Sequence, residues 1–395
     1  MPSRIAVLEL RSVRGTGGGP EKTILSGAEQ ADRTRFDVTV CYVRDERDDV
    51  FEVDARAARL NVDYVEVRER HSFDHRIWRR LAGLVGDRRI DIVHAHDYKT
   101  NLIALLLARR CGVLPLATAH GWTGQTPRER FAYYPADKWL LARFPRVIAV
   151  SSEIQQQLER RGTNPACVTV ILNAIDPDHF RRRPERRAEV RRALGYGDRD
   201  IVVGAVGRLE PQKRFDLLLE AIARLQEHWP TLRLAVVGEG SLRAELSARA
   251  ARLAVADRCA WLGHRDDVGD LHHAFDLFVQ SSEYEGTPNA VLEAMAMETP
   301  IVATDVGGTA ELATDGVHAW LVPPHDIDAL TGAIGRWLGD PAAARPRVMA
   351  ARRRIETDLS FRARTRALEA IYEELIRTRD GRLASTRMLS GASHA

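Results

Sequence analysis

Apolar residues fall along the chain in short runs, separated by stretches where they recur every three or four positions. In the first half the runs cover 5–10, 37–42, 63–67, 90–94, 114–118, 147–150 and 168–171, with helical periodicity between them, as at 101–111 and 153–161. Continuous runs, rather than strict alternation, predict strands buried on both faces, as in parallel sheets covered by helices. The stretch 173–200 breaks the rhythm with Pro177, Pro184, Gly195, Gly197 and a run of arginines, and reads as a linker and entry to a second domain. A second alternation follows, with strands at 201–206, 232–237, 259–262, 277–280, 301–304 and 320–322. The predicted architecture is α/β, with two doubly wound Rossmann-like domains at 1–172 and 201–360. Such sheets bind ligands beyond the carboxyl ends of their strands, and two facing sheets make a cleft. The segment 361–376 carries Leu368, Ile371, Tyr372 and Leu375 at helical spacing and suits either domain; the small, polar residues 381–395 predict a frayed tail.

Composition narrows the function classes. A length of 395 residues suits two domains, and a net charge of +3 argues against a nucleic-acid binder. No run of 18 apolar residues exists, and the opening MPSRIAVLEL leads straight into a strand without a signal-peptide pattern. Cys41, Cys111, Cys167 and Cys259 lie far apart, which excludes a disulfide framework and fits a reducing, cytoplasmic compartment. Of 58 basic residues only Lys22, Lys99, Lys138 and Lys213 are lysine, so a lysine inside a motif carries extra information. The arginines of 181–192 read as a solvated helix face balanced by Glu185 and Glu189, or as a patch for phosphate or lipid headgroups. The segment 71–84, with Arg76, Trp78, Arg79 and Arg80, reads as a surface helix or as a peripheral membrane contact.

The densest chemistry lies in 281–295, Ser-Ser-Glu-Tyr-Glu-Gly-Thr-Pro-Asn-Ala-Val-Leu-Glu-Ala-Met, after a predicted strand and at the opening of a helix. Thr287 suits the N-cap and Pro288 the first helical position. The unpaired N–H groups of such a first turn favour a phosphate or a hydroxyl-rich sugar. Glu293 falls among apolar neighbours, where a carboxylate needs partners; two ribose hydroxyls would supply them. In 206–214, Val-Gly-Arg-Leu-Glu-Pro-Gln-Lys-Arg, Gly207 permits close backbone approach, and Arg208 and Lys213 can converge on a diphosphate.

These motifs resemble the retaining glycosyltransferase family 4, of the two-domain GT-B fold. Glu285 and Glu293, separated by seven residues that include Gly286, Pro288, Asn289 and Ala290, match the family's acidic motif, and Thr304-Asp305-Val306-Gly307-Gly308 follows the next strand. The resemblance spans roughly residues 1–376 and is densest over 201–330. It implies that Glu285 contacts the donor sugar, that Glu293 binds the nucleotide ribose, and that Arg208 and Lys213 grip the leaving diphosphate. Gly286, Thr287, Asn289 and Ala290 would complete the donor site, with looser contacts to the base from His264 and Arg265. The turn at Gly17, Gly18 and Gly19 exposes backbone N–H groups and is placed by the resemblance against donor phosphates or acceptor; Pro20 breaks a dinucleotide fingerprint. His120, in a His-Gly pair that the family carries, is the first-domain candidate for contact with the donor sugar. His94 and His96 end another strand and stand open between acceptor contact and local structure. Asn173-Ala174-Ile175-Asp176 has alanine where the family has glycine.

The implied activity is transfer of a hexose-type sugar, with retention, from a UDP- or GDP-sugar to a sugar, lipid-linked or small-molecule acceptor. Cell-envelope or exopolysaccharide assembly is the setting that the resemblance suggests. No cofactor or metal is expected, because the Asp-x-Asp triplets at 176–178, 198–200 and 326–328 follow no buried strand. Rival readings are a nucleotide-sugar epimerase or hydrolase of the same fold, a nicotinamide-dependent oxidoreductase, and a non-catalytic nucleotide-sugar-binding protein.

Overall fold

A computed structural model describes residues 4–13, 15, 19–71, 74–122 and 129–391. The chain divides into two compact units, one of Met1–Ile171 with Phe361–Ala395, the other of Leu172–Ser360.

The first unit is built on seven parallel strands: β1 (Ile5–Ser12), β2 (Phe36–Asp45), β3 (Asp63–Glu69), β4 (Ile92–Ala95), β5 (Leu114–Ala119), β6 (Arg146–Ala149) and β7 (Val168–Val170), ordered β3-β2-β1-β4-β5-β6-β7. The strand runs are apolar because both faces are covered. Leu8, Leu10, Val93 and Ala117 meet helices on one side, while Val7, Ile92, Leu116 and Ile148 meet Leu368, Ile371, Tyr372 and Leu375 on the other. Those last four lie on the helix Phe361–Gly391, so the C-terminal segment packs on the first sheet. Each such aliphatic side chain removed from water stabilises by about 1.5–3 kcal/mol. Polar ties set the helix's register: Glu369 Oε1 accepts from Asp32 N at 2.8 Å, and Arg379 reaches Asp91 at 3.2 Å. The backbone stays helical to Gly391, past the point at 381 where composition suggests fraying.

The second unit has six parallel strands: β8 (Ile201–Val206), β9 (Leu232–Val237), β10 (Cys259–Trp261), β11 (Leu277–Gln280), β12 (Ile301–Thr304) and β13 (Trp320–Val322), ordered β10-β9-β8-β11-β12-β13. Residues 173–200, which read as a linker, are built into this unit. Ile175 pairs with Ser360, and the arginine run divides: Arg181, Arg183 and Arg192 are exposed and Arg186 lies 3.6 Å from Glu189, as a solvated face predicts, whereas Arg182, Arg187 and Arg191 are tied into the unit. Arg182 donates to His272 O at 2.6 Å and Phe275 O at 3.4 Å, while Arg187 and Arg191 clasp Asp276, Arg191 only 3% exposed. A buried guanidinium needs such acceptors, and the backbone carbonyls and Asp276 provide them. The segment 71–84, read as a surface helix or a peripheral membrane contact, contributes to the helix Arg76–Asp87, which buries Ile77, Leu81 and Val85 in its own unit. No described helix is long and apolar enough to cross a membrane.

Candidate functional site

Strand order reverses between β1 and β4 in one sheet and between β8 and β11 in the other, so each has a crevice at the carboxyl ends of those strands. In the second unit the two loops leaving that crevice are stitched together. Glu283 N donates to Gln212 O at 2.8 Å, Gln212 Nε2 to Tyr284 O at 2.8 Å, and Ser281 Oγ to the carbonyls of Lys213 and Arg214 at 2.9 Å each. From β12, Thr304 Oγ1 donates to Ser282 O at 2.6 Å and Gly308 N to Glu285 O at 3.1 Å. Gly308 is required here, because a Cβ would fall 1.5 Å from Gly286 O. Gly238 is required likewise after β9, where a Cβ would lie 2.1 Å from Gly207 O.

This stitching brings Lys213 and Glu285 into contact. Lys213 Nζ lies 2.5 Å from Glu285 Oε1, which also accepts from Ser282 Oγ at 2.6 Å. The two residues assigned to different parts of one ligand are thus paired with each other. Arg208, after β8, is exposed, and among the described residues its guanidinium makes no hydrogen bond or ion pair, though its charge acts on the nearby Glu210 carboxyl. Asn289 and Ala290 open the helix Asn289–Ala296, whose cap is Pro288 rather than Thr287. Pro288 supplies no side-chain acceptor; Val291 N donates to its carbonyl at 3.1 Å, and the N–H groups of Asn289 and Ala290 stay available to a ligand. Asn173 Nδ2 donates to Thr287 O at 3.4 Å and holds the Asn173–Asp176 turn against this loop despite its alanine. Glu293 is buried on the same helix. His264 and Arg265 follow β10 at the same sheet end; His264 N donates to Glu239 at 3.4 Å, and Arg265 is paired with Asp267.

In the first unit, Gly17 and Gly18 lie outside the described residues, and Gly19 opens the helix Gly19–Glu29. His120, just past β5, is partly buried in a hollow of about 170 Å³ shared with Arg11, Asp97, Trp122 and Asp137. Asp137 accepts from Asn101 Nδ2 at 2.7 Å and Trp122 Nε1 at 2.9 Å, and burial raises its pKa. A larger, mostly apolar groove of about 610 Å³ adjoins it and shares Tyr98 and Asp137 with it. Leu102, Leu106, Tyr133 and Leu140 form its walls.

His94 and His96 do not serve as open acceptor contacts. His94 is fully buried and His96 is 4% exposed, with all four ring nitrogens engaged by protein groups. They join Glu9, Thr118 and Tyr372 in a buried polar cluster that sequence reasoning missed. One signal was available: Glu9 interrupts an apolar strand, and a carboxylate there requires donors. Ligand atoms of Glu9, His94 and His96 lie within 4.8 Å of one another, a spacing that could also hold a metal ion.

Known proteins repeat this layout. A family model described as glycosyl transferases group 1 matches residues 186–354, and one described as Glycosyltransferase Family 4 matches 17–179. The lipopolysaccharide core biosynthesis mannosyltransferase LpsB of Rhizobium meliloti is 30% identical over 312 residues, 76% of this chain and 83% of that protein. A glycogen synthase of Mycobacterium tuberculosis is 31% identical over 310 residues, 74% of this chain and 71% of its own. Among solved structures, Anabaena Alr3699/HepE in complex with UDP superimposes with a TM-score of 0.82 at 21% identity, covering 94% of this chain and 100% of its own, which places the fold as GT-B. On these matches the chain is a glycosyltransferase and belongs to glycosyltransferase family 4.

Proposed function

We propose that the chain transfers a hexose-type sugar from a uridine or guanosine diphosphate sugar, with retention and without a metal ion, to a cell-envelope or exopolysaccharide acceptor. The observation that carries this reading is the Lys213–Glu285 pair at the β8/β11 crevice, with Arg208 and the first turn of Asn289–Ala296 beside it. A diphosphate arriving there competes with Glu285 for the ammonium. Lys213, Arg208 and the N–H groups of Asn289 and Ala290 then take up charge as the bond from the anomeric carbon to the diphosphate breaks. Glu285, released from Lys213, turns to a sugar hydroxyl, Glu293 to the ribose, and His120 to the sugar from the first unit. The departing phosphate oxygen takes the acceptor's proton, so no separate base is required.

A solved neighbour in complex with UDP-glucose supports a uridine donor, and a relative named for lipopolysaccharide core biosynthesis supports an envelope acceptor. The apolar groove beside the His120 hollow supports a lipid-linked acceptor. Calorimetric titration against UDP-, GDP- and ADP-sugars, followed by acceptor screening with the tightest binder, tests the proposal. Rapid donor breakdown without any acceptor would mark a hydrolase or epimerase instead, and binding without turnover a non-catalytic protein.

A further inference from the structure

Glu9 is 5% exposed inside β1, and three donors converge on it. Tyr372 Oη donates to Oε1 at 2.6 Å, His94 Nδ1 lies 3.2 Å from Oε1 and 3.1 Å from Oε2, and His96 Nε2 lies 2.5 Å from Oε2. Burial alone would raise this carboxyl, but His94 and His96 hold it well below the ordinary carboxylate range. An ionised carboxylate only accepts, so the hydrogen between Glu9 and His96 sits on His96 Nε2. The same rule puts a hydrogen on His94 Nδ1, which faces the carboxylate, while its Nε2 lies 2.7 Å from Thr118 Oγ1.

His96 is neutral: burial, reinforced by His94, lowers it to about 3 against the pull of Glu9. With hydrogen on Nε2, its Nδ1 is a lone pair, and that atom lies 3.1 Å from His120 Nε2. His120 Nε2 therefore donates. Burial, with Arg11, also holds His120 below its ordinary value, so its Nδ1 carries a lone pair. No described residue bonds to that atom.

We infer that Glu9 and His96 are positioning residues that fix His120 as the Nε2–H tautomer, so that its Nδ1 accepts a hydrogen bond from a ligand hydroxyl and rejects a carbonyl or phosphate oxygen. The ligand half of this inference rests on the proposed contact between His120 and the sugar; the tautomer does not. A cation held by Glu9, His94 and His96 would have to displace these bonds, and the buried guanidinium of Arg364 already offsets the carboxylate.

Glu9→Gln tests the relay without a change of size. An amide that turns its NH₂ toward His96 can only donate, so the His96 hydrogen moves to Nδ1 and His120 Nε2 must accept. Long-range ¹H–¹⁵N correlation spectra of the histidine-labelled full chain report each tautomer, with the His120 signals assigned by their loss in His120→Gln. The wild type is expected to show Nε2–H at His120 and Glu9→Gln to show Nδ1–H. Turnover should fall by about tenfold or more, with UDP affinity unchanged, because the proposed grip on ribose and diphosphate by Glu293, Arg208 and Lys213 is in the second unit. Wild-type His120 carrying its hydrogen on Nδ1 overturns the inference even if the variant does not fold. An unaltered His120 tautomer in a folded Glu9→Met, which offers His96 no oxygen acceptor in any orientation, or a stoichiometric metal ion in the purified chain, overturns it too. An inverted tautomer with undiminished turnover supports the relay and sinks the proposed sugar contact of His120.

Discussion

The two sheet ends share a topology and differ in what they do with charge. In the second unit the carboxyl-end loops are locked by hydrogen bonds to backbone groups, and the cations of the motif stay accessible, Arg208 exposed and Lys213 partly so, while its carboxylates Glu285 and Glu293 are buried. In the first unit the charge is beneath the surface, with Glu9 buried under His94 and His96 and only His120 reaching outward. A crevice that receives a diphosphate needs accessible cations held in place. A crevice that orients a neutral hydroxyl instead needs an acceptor whose protonation does not drift with its surroundings, and burial supplies that.

The largest expected effect breaks the second crevice. Lys213→Ala should lower turnover by about 10²–10³-fold, as when one preorganised donor to a leaving group is removed. Steady-state kinetics that show a loss no larger than that of Glu9→Gln would erase the contrast between the two ends. Glu293→Ala should weaken nucleoside diphosphate binding by about 1.5–3 kcal/mol, the worth of a charge-assisted hydrogen bond. Glu285→Ala should leave that affinity equal or improved, because Lys213 loses its competitor. Equal losses for the two variants by calorimetry would dissolve the division between ribose and sugar roles.

Acid sharpens the comparison from the stability side. His96 in the first unit and His272 in the second both sit at about 3, from an ordinary value of 6.5, chiefly through burial. Their folded values are depressed, so unfolding takes up protons below pH 6.5. Their contribution is complete above that pH and is lost as pH falls toward 3, by up to about 1.4 kcal/mol per pH unit for each ring. Urea midpoints that stay level from neutral pH to pH ~5 would mean charged rings in the fold, and the neutral relay to His120 would fail. The smallest effect expected is none: EDTA should leave transfer unchanged, and restoration by manganese of activity lost in EDTA would overturn the metal-free reading.

Every strand was legible as an element, because an apolar run that must be covered on both faces has few other fates; Leu232–Val237 and Leu277–Gln280 match to the residue, whereas Phe36–Asp45 runs three residues past the apolar stretch that ends at 42. The second-unit motif was legible because its residues are neighbours in sequence. The first-unit cluster was not, since Glu9, His94, Thr118 and Tyr372 come from three strands and a distant helix, and no local spacing links them. The arginines at 182 and 191 misled for a related reason: a guanidinium's exposure depends on carbonyls and carboxylates dozens of positions away, such as Phe275 O and Asp276.

The helix Phe361–Gly391 also sets an order of assembly. As the chain emerges during synthesis, Glu9 and the sheet around it appear first, yet the side chains that cover Val7, Ile92, Leu116 and Ile148 come after the whole of Leu172–Ser360. Until then the nascent first unit exposes an oily sheet face, and the Glu9 carboxylate lacks the Tyr372 hydroxyl. The second unit can fold on the ribosome as a continuous stretch, while the first must wait for the last turns of the chain. A stop codon ahead of Tyr372 would therefore damage the end of the molecule that was made earliest.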